Sequence, residues 1–211
     1  MRRFFATTLF FFAWMSVAFA QSSEPDQKAL FVSFINSAGY KSYLERIFNL
    51  GEPTTLKAEC PSLGILEWNK IMMVEQPTFV RSGANYQITS GAWVGMAVME
   101  RCGSRVTRRA LLKAVPGSNV LQPTFLLPGD FRGNLKLEAD AMRIVLPGLM
   151  AAAKCTDKIE FLNVSSHGPS TPQGWSETWT AAACGRRVDA EVTYSPISGG
   201  MNVTAGKWKV Y

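Results

Sequence analysis

The amino-acid sequence predicts an α+β protein of two tandem units, each a helix followed by an antiparallel meander and each closed by one disulfide. Three observations lead there. Setting Trp93 on Trp175 also places Cys102 on Cys184, Gly103 on Gly185, Arg105 on Arg187 and Val106 on Val188, with one offset and no gap, the mark of an internal duplication. In each half, apolar residues at helical spacing precede runs of β-forming residues broken by turn formers. Each half also holds two cysteines, one after its helix and one before a glycine.

The start of the chain is set apart by composition. Met1-Arg2-Arg3, an apolar run from Phe4 to Trp14 and the small-x-small exit Ala18-Phe19-Ala20 predict a signal peptide over 1–20. The apolar run is short for a membrane span, so no stable span is expected after cleavage. The first helix-meander unit is expected over 21–127 and the second, packed on the first, over 128–211. Export to the periplasm or the medium places all four cysteines in an oxidising compartment. Of the three possible connectivities, the duplication selects Cys60 with Cys102 and Cys155 with Cys184. In the chain-entropy model each closed loop contributes roughly 3.5 to 4 kcal/mol.

Ser23-Glu24-Pro25-Asp26 has the composition of a helix opening. Leu30, Phe31, Phe34, Ile35 and Ala38 keep helical spacing, Gly39 is a break point, and Tyr43, Leu44, Ile47 and Phe48 resume the stripe until Gly51-Glu52-Pro53 stops it. Strands are expected from Leu63 to Val74, Asn85 to Ile88 and Trp93 to Glu100, with turns at Ser82-Gly83-Ala84 and Ser90-Gly91. Cys102-Gly103-Ser104 turns into a strand from Val106 to Val115, and a last strand spans Val120 to Leu126. Leu127 to Asn134, rich in turn formers, connects the units.

The second helix carries Leu137, Ala141, Ile144, Val145 and Leu149 on one side, with Pro147-Gly148 expected to kink or divide it and Lys154 to end it. Ile159 to Val164 reads as a strand, Ser165 to Gln173 as a loop, and Trp175 to Ala183 as a strand. Beyond Cys184-Gly185, Val188, Ala190, Val192 and Tyr194 alternate with Asp189, Glu191 and Thr193, a sheet with one buried face. Met201 to Thr204 and Lys207 to Tyr211 are expected to form a closing hairpin.

Composition excludes more chemistry than it supports. The chain has 22 basic and 16 acidic residues, net +6, and loses Arg2 and Arg3 with the leader. That is mild basicity without the clustering of a nucleic-acid binder. The one histidine, His167, sits among serines, but a nucleophilic site also needs an orienting acid in space. With every cysteine assigned to a disulfide, no metal site and no cofactor are expected. Met72, Met73, Met96, Met99, Met142, Met150 and Met201 are assigned to packing rather than copper handling.

Two constellations remain. Glu177 lies between Trp175 and Trp179, and strand alternation puts all three on one face, as a platform for a sugar or cation, as the exposed anchors of a partner site near Arg187, or as a solvated sheet face or a Trp pair covered by a helix, large aromatics being more often core. Glu67, Glu75, Glu100, Glu160 and Glu191 are further strand acids that could pair with Glu177 in a glycosidase-like site. The basic group Arg101, Arg105, Arg108, Arg109 and Lys113 is either an anion or headgroup patch or a set of solvated edge charges. Asn163-Val164-Ser165 and Asn202-Val203-Thr204 match the glycosylation pattern. Three functions follow: a non-enzymatic exported binding protein for an apolar or lipid-like small molecule, an interaction or inhibitor module acting on another exported protein, and a carboxylate-dependent hydrolase. The first leads, because helices over sheets can leave an apolar pocket.

Overall fold

A computed structural model describes residues 26–61, 64–68, 71–118 and 120–211 of the chain. The expected signal peptide, and Ser23 to Pro25 of the expected helix opening, lie outside them. The helix begins as α1, Gln27–Asn36, capped by the Asp26 carboxylate, which accepts from the amides of Lys28 (2.9 Å) and Ala29 (3.1 Å). The break falls at Ser37, two residues before the glycine. Its hydroxyl donates to Phe34 O at 2.7 Å and accepts from Tyr40 N at 3.2 Å, so one side chain ends α1 and starts α2, Ala38–Gly51. Gly39 lies inside α2.

Pro53 stops α2, as expected, but the chain at once resumes as the short α3, Thr54–Glu59. No helical periodicity announces α3, because its opening is capped by a residue far away in the sequence. Glu160 accepts from Thr54 N (3.0 Å), Thr54 Oγ1 (2.6 Å), Thr55 N (3.0 Å) and Thr55 Oγ1 (2.9 Å).

Five strands follow: β1, Gly64–Trp68; β2, Met72–Ser82; β3, Asn85–Arg101; β4, Ser104–Ala114; and β5, Leu121–Phe125. All pairings are antiparallel. β3 is central, with β4 and then β5 on one side and β1 and β2 sharing the other. The expected turn at Ser90-Gly91 is a correction, since β3 runs through it unbroken. Gly91, at φ +115°, instead faces a bulge of β2, where a Cβ would strike the backbone of Pro77.

The second unit is α4, Leu135–Ala153, followed by the meander β6, Ile159–Thr171; β7, Gly174–Ala183; β8, Arg186–Ile197; and β9, Gly200–Val210. Asn134 caps α4 by accepting from Leu137 N at 2.9 Å. Pro147 does not divide the helix, which is continuous to the left-handed Lys154 (φ +51°). Gly148 is needed for close approach, because a Cβ there would enter the ring of Trp208. The expected loop at Ser165 to Gln173 is mostly strand. β6 is an edge strand, where proline removes no ladder partner. The expected closing hairpin is the single strand β9, interrupted only by a bulge at Lys207 (φ +49°).

The duplication is visible in the backbone. Cys102 and Gly103 have φ of +45° and +77°, Cys184 and Gly185 +48° and +76°, so both hairpins use the same two-residue turn with both residues left-handed. The disulfides are Cys60–Cys102 and Cys155–Cys184, one in each half. Each unit packs its helix on its own sheet. In the first, Trp93 lies against Phe31 (ring centroids 5.2 Å) and Phe34 (6.1 Å) and donates its indole N–H to Tyr40 Oη at 2.9 Å. In the second, Trp179 lies against Phe161 (5.7 Å) and Phe131 (6.2 Å) beneath α4.

The connecting segment is stitched to both sheets. Leu126 N and Gly129 N donate to Arg109 O (3.1 Å) and Thr107 O (2.8 Å) of β4, and Asp130 N donates to Val164 O (2.8 Å) of β6. Chain between the units thus bridges the two sheets.

Candidate functional site

Trp175, Glu177 and Trp179 do share one face of β7, and that face is the core side. Glu177 and Trp179 are wholly buried, which corrects the open platform and removes Trp179 as an exposed anchor. The Glu177 carboxylate accepts from Trp175 Nε1 (3.0 Å), Trp179 Nε1 (2.9 Å) and Arg132 N (3.2 Å). Trp175, half-buried, stacks on Tyr194 with centroids 4.6 Å apart. The Tyr194 hydroxyl is held above the ordinary tyrosine range by burial and by the negative charge of Glu177. This arrangement satisfies two indoles and a backbone amide in the core. Arg187 is not part of it: it is exposed and faces a different cleft. His167, on β6, pairs through Nε2 with Thr178 Oγ1 at 2.7 Å.

The basic group also requires correction. Arg105 and Lys113 are exposed, but Arg101, Arg108 and Arg109 are buried at the junction of the units rather than solvated on an edge. Glu52, just beyond α2, pairs with Arg101 Nη2 (3.0 Å) and with Arg108 Nε. Arg101 Nη1 also donates to Leu56 O (2.9 Å) and to Cys60 O, fixing α3 to the first disulfide. Arg109 Nη1 pairs with Glu138 of α4 at 3.0 Å, and the other Glu138 oxygen accepts from Leu127 N at 2.6 Å. Burial raises the Glu138 carboxyl above its ordinary range, against the opposing pull of Arg109 and the Leu127 amide. Glu160 goes the other way. Although its partial burial opposes ionisation, hydrogen bonds from Lys158, Thr54 and the Thr55 amide hold it well below the usual carboxylate range.

These pairs border two clefts. The first, about 640 Å³, is lined by apolar groups from both units, among them Phe48, Leu111, Leu127, Met142 and Phe161, with the Arg109–Glu138 pair in its wall. Leu50 (72 % exposed) and Phe125 (47 %) also line it, two large apolar side chains left open to water. Lys57 and Lys158, both exposed, stand at its edge, Lys57 donating to Leu50 O (3.4 Å) and Lys158 paired with Glu160 (2.5 Å). The second cleft, about 660 Å³, shares Arg108 with the first and is lined by Arg101, Arg105 and Arg187 as well. Neither cleft includes Glu177.

The carboxylates that organise these clefts, Glu52, Glu138 and Glu160, were not legible as a set. Glu52 sits in a helix stop, Glu138 on the polar side of a helix and Glu160 among many strand acids. The available signal was an asymmetry of the duplication: Arg108 and Arg109 in the first copy stand where the second has Ala190 and Glu191. Among the described residues, no helix is long and apolar enough to cross a membrane. No protein-family model, no curated protein and no solved structure matches the chain.

Proposed function

We propose that the protein is an exported, non-enzymatic binding protein, periplasmic or secreted, that holds an apolar small molecule with an anionic end in the cleft between its units. The observation that carries this is the lining of that cleft: Phe48, Leu111, Met142 and Phe161 within, Leu50 and Phe125 at the opening, and Lys57 and Lys158 beside them. Its volume of about 640 Å³ falls in the range that takes a small-molecule ligand. Apolar walls favour a hydrocarbon body, and the ammonium of Lys57, which makes no ion pair among the described residues, favours a carboxylate or phosphate at its end. Two disulfides suit an oxidising compartment.

Native mass spectrometry of the oxidised protein, purified from the compartment it is exported to, tests this directly. A mass excess lost on denaturation, and absent from the Ala139→Arg variant, is expected. Ala139 is an exposed α4 residue in the cleft wall, so an arginine there fills the cleft without entering the core. A bare mass in both proteins, with no uptake of a fatty acid offered in solution, would overturn the proposal.

A second function, docking on another exported protein, is favoured by one observation. β2 has β3 as its one strand partner among the described residues, with Gln27 of α1 bonded to Phe79 N and O, and it exposes Met72, Met73, Val74 and Val80. Crosslinking from residue 74 in the native compartment distinguishes it, since a defined heterologous adduct is expected only if that edge is an interface. The hydrolase alternative has lost its centre, because Glu177 is enclosed and bonded to two indoles.

A further inference from the structure

The second cleft points to a different ligand chemistry. It gathers four guanidinium groups from both units: Arg101 at the end of β3, Arg105 and Arg108 on β4, and Arg187 on β8. Arg105 and Arg187 occupy the same place in the two copies, three residues beyond the cysteine of each left-handed turn, so the duplication delivers the same side chain to one cavity twice. Both are exposed, and neither makes an ion pair among the described residues. Arg101 and Arg108 are 7 % and 6 % exposed, and after their bonds to Glu52 and backbone carbonyls they keep donors without an acceptor, Arg101 Nε and Arg108 Nη2.

The opposing charge is smaller. Glu52 is shared between Arg101 and Arg108. The cleft lining adds two carboxylates, Glu59 and Asp189, the latter accepting from the neutral hydroxyls of Thr180 (2.7 Å) and Tyr211 (3.0 Å), so three carboxylates oppose four guanidiniums. A concave site with four guanidiniums and a polar wall selects an oxyanion whose geometry matches their planar forks, and phosphate does so best. At about 660 Å³ the cleft is far larger than one phosphate ion, so it has room for an organic group as well.

We infer that this cleft binds the phosphate group of a small polar phosphomonoester, gripped by Arg105 and Arg187 at the opening and by Arg101 and Arg108 behind. The site adjoins the apolar cleft at Arg108, which lines both, and neither proposal needs the other.

Isothermal titration calorimetry of the oxidised protein with glycerol 3-phosphate, inorganic phosphate and glycerol tests it. Glycerol 3-phosphate is expected to bind and glycerol not to. Arg105→Gln and Arg187→Gln, both at exposed positions, are each expected to weaken binding about tenfold, the effect of losing one charge-assisted contact. If inorganic phosphate binds as tightly as the ester, the site stands and its ligand is the free anion. Absence of binding by either phosphate compound up to about 10 mM, a weakness beyond the usual range of specific sites, would overturn the inference. So would unchanged affinity in the Arg105→Gln/Arg187→Gln double variant.

Discussion

Tyr40 accepts the indole N–H of Trp93 at 2.9 Å across the interface of α2 and β3, inside the first core. The second core solves the same problem differently, with Glu177 two residues from Trp179 on β7. Burial pushes the Tyr40 hydroxyl up to about 12, only partly offset by the Trp93 bond, so it stays a neutral partner across the physiological range. Tyr40→Phe leaves a buried donor unpaired and is expected to cost about 1 to 3 kcal/mol in urea unfolding. Adding Trp93→Phe removes the orphaned donor. The double variant should therefore be less destabilised than the two single losses added together.

Acid stability should report on the junction of the units. Glu160 has its folded pKa held below the unfolded 4.5, so the stability it contributes is full above about pH 4.5 and is lost as pH falls below it. Glu138 has a raised folded pKa and opposes this, since protonation through its own window favours the folded state. In Glu160→Gln the loss below pH 4.5 should shrink, and denaturant midpoints measured between pH 3 and pH 6, the carboxylate range, check the sign.

Two glycine-to-alanine changes in helices should have opposite signs. Gly39 lies in α2 with open space at its Cβ position, so alanine there gains about 0.5 to 1 kcal/mol from helix propensity. Gly148 gains the same propensity in α4, but its new methyl meets the Trp208 ring, and overpacking of that kind costs about 1 to 3 kcal/mol. Packing wins at Gly148. Thermal unfolding of the two variants side by side should show Tm rising for one and falling for the other.

Removing either disulfide should cost a similar amount. The closed loops span 42 and 29 residues, a difference that changes loop entropy by only a few tenths of a kcal/mol. Cys60→Ala/Cys102→Ala and Cys155→Ala/Cys184→Ala are each expected to lose roughly 3.5 to 4 kcal/mol in that model. Non-reducing peptide maps of the wild type should contain no peptide joining Cys102 to Cys184.

Local chemistry was readable in the sequence, and long-range chemistry was not. Both disulfides and the two Cys-Gly hairpins followed from one repeated spacing, because a turn and its strands are set by adjacent residues. Placing Trp175, Glu177 and Trp179 on one face was also a matter of strand period. Which side of the sheet that face lay on depended on α4, and no periodicity within β7 states it. α3 went unseen for the same reason: its cap, Glu160, is 106 residues from Thr54. Arg108 and Arg109 read as an anion patch or as solvated edge charges because their partners, Glu52 just beyond α2 and Glu138 in α4, lie on either side of the meander. At Ser165 to Gln173, prolines and glycine read as turn formers, although an edge strand tolerates them.

The distance between Thr54 and Glu160 also makes one half of the chain incomplete without the other. Taken by itself, the first unit has its own sheet, its disulfide and the Glu52–Arg108 bond. What it lacks without the second unit is the acceptor for the start of α3 and the counter-charge for Arg109. The first half of the chain is thus a half-finished mould that only the second half completes.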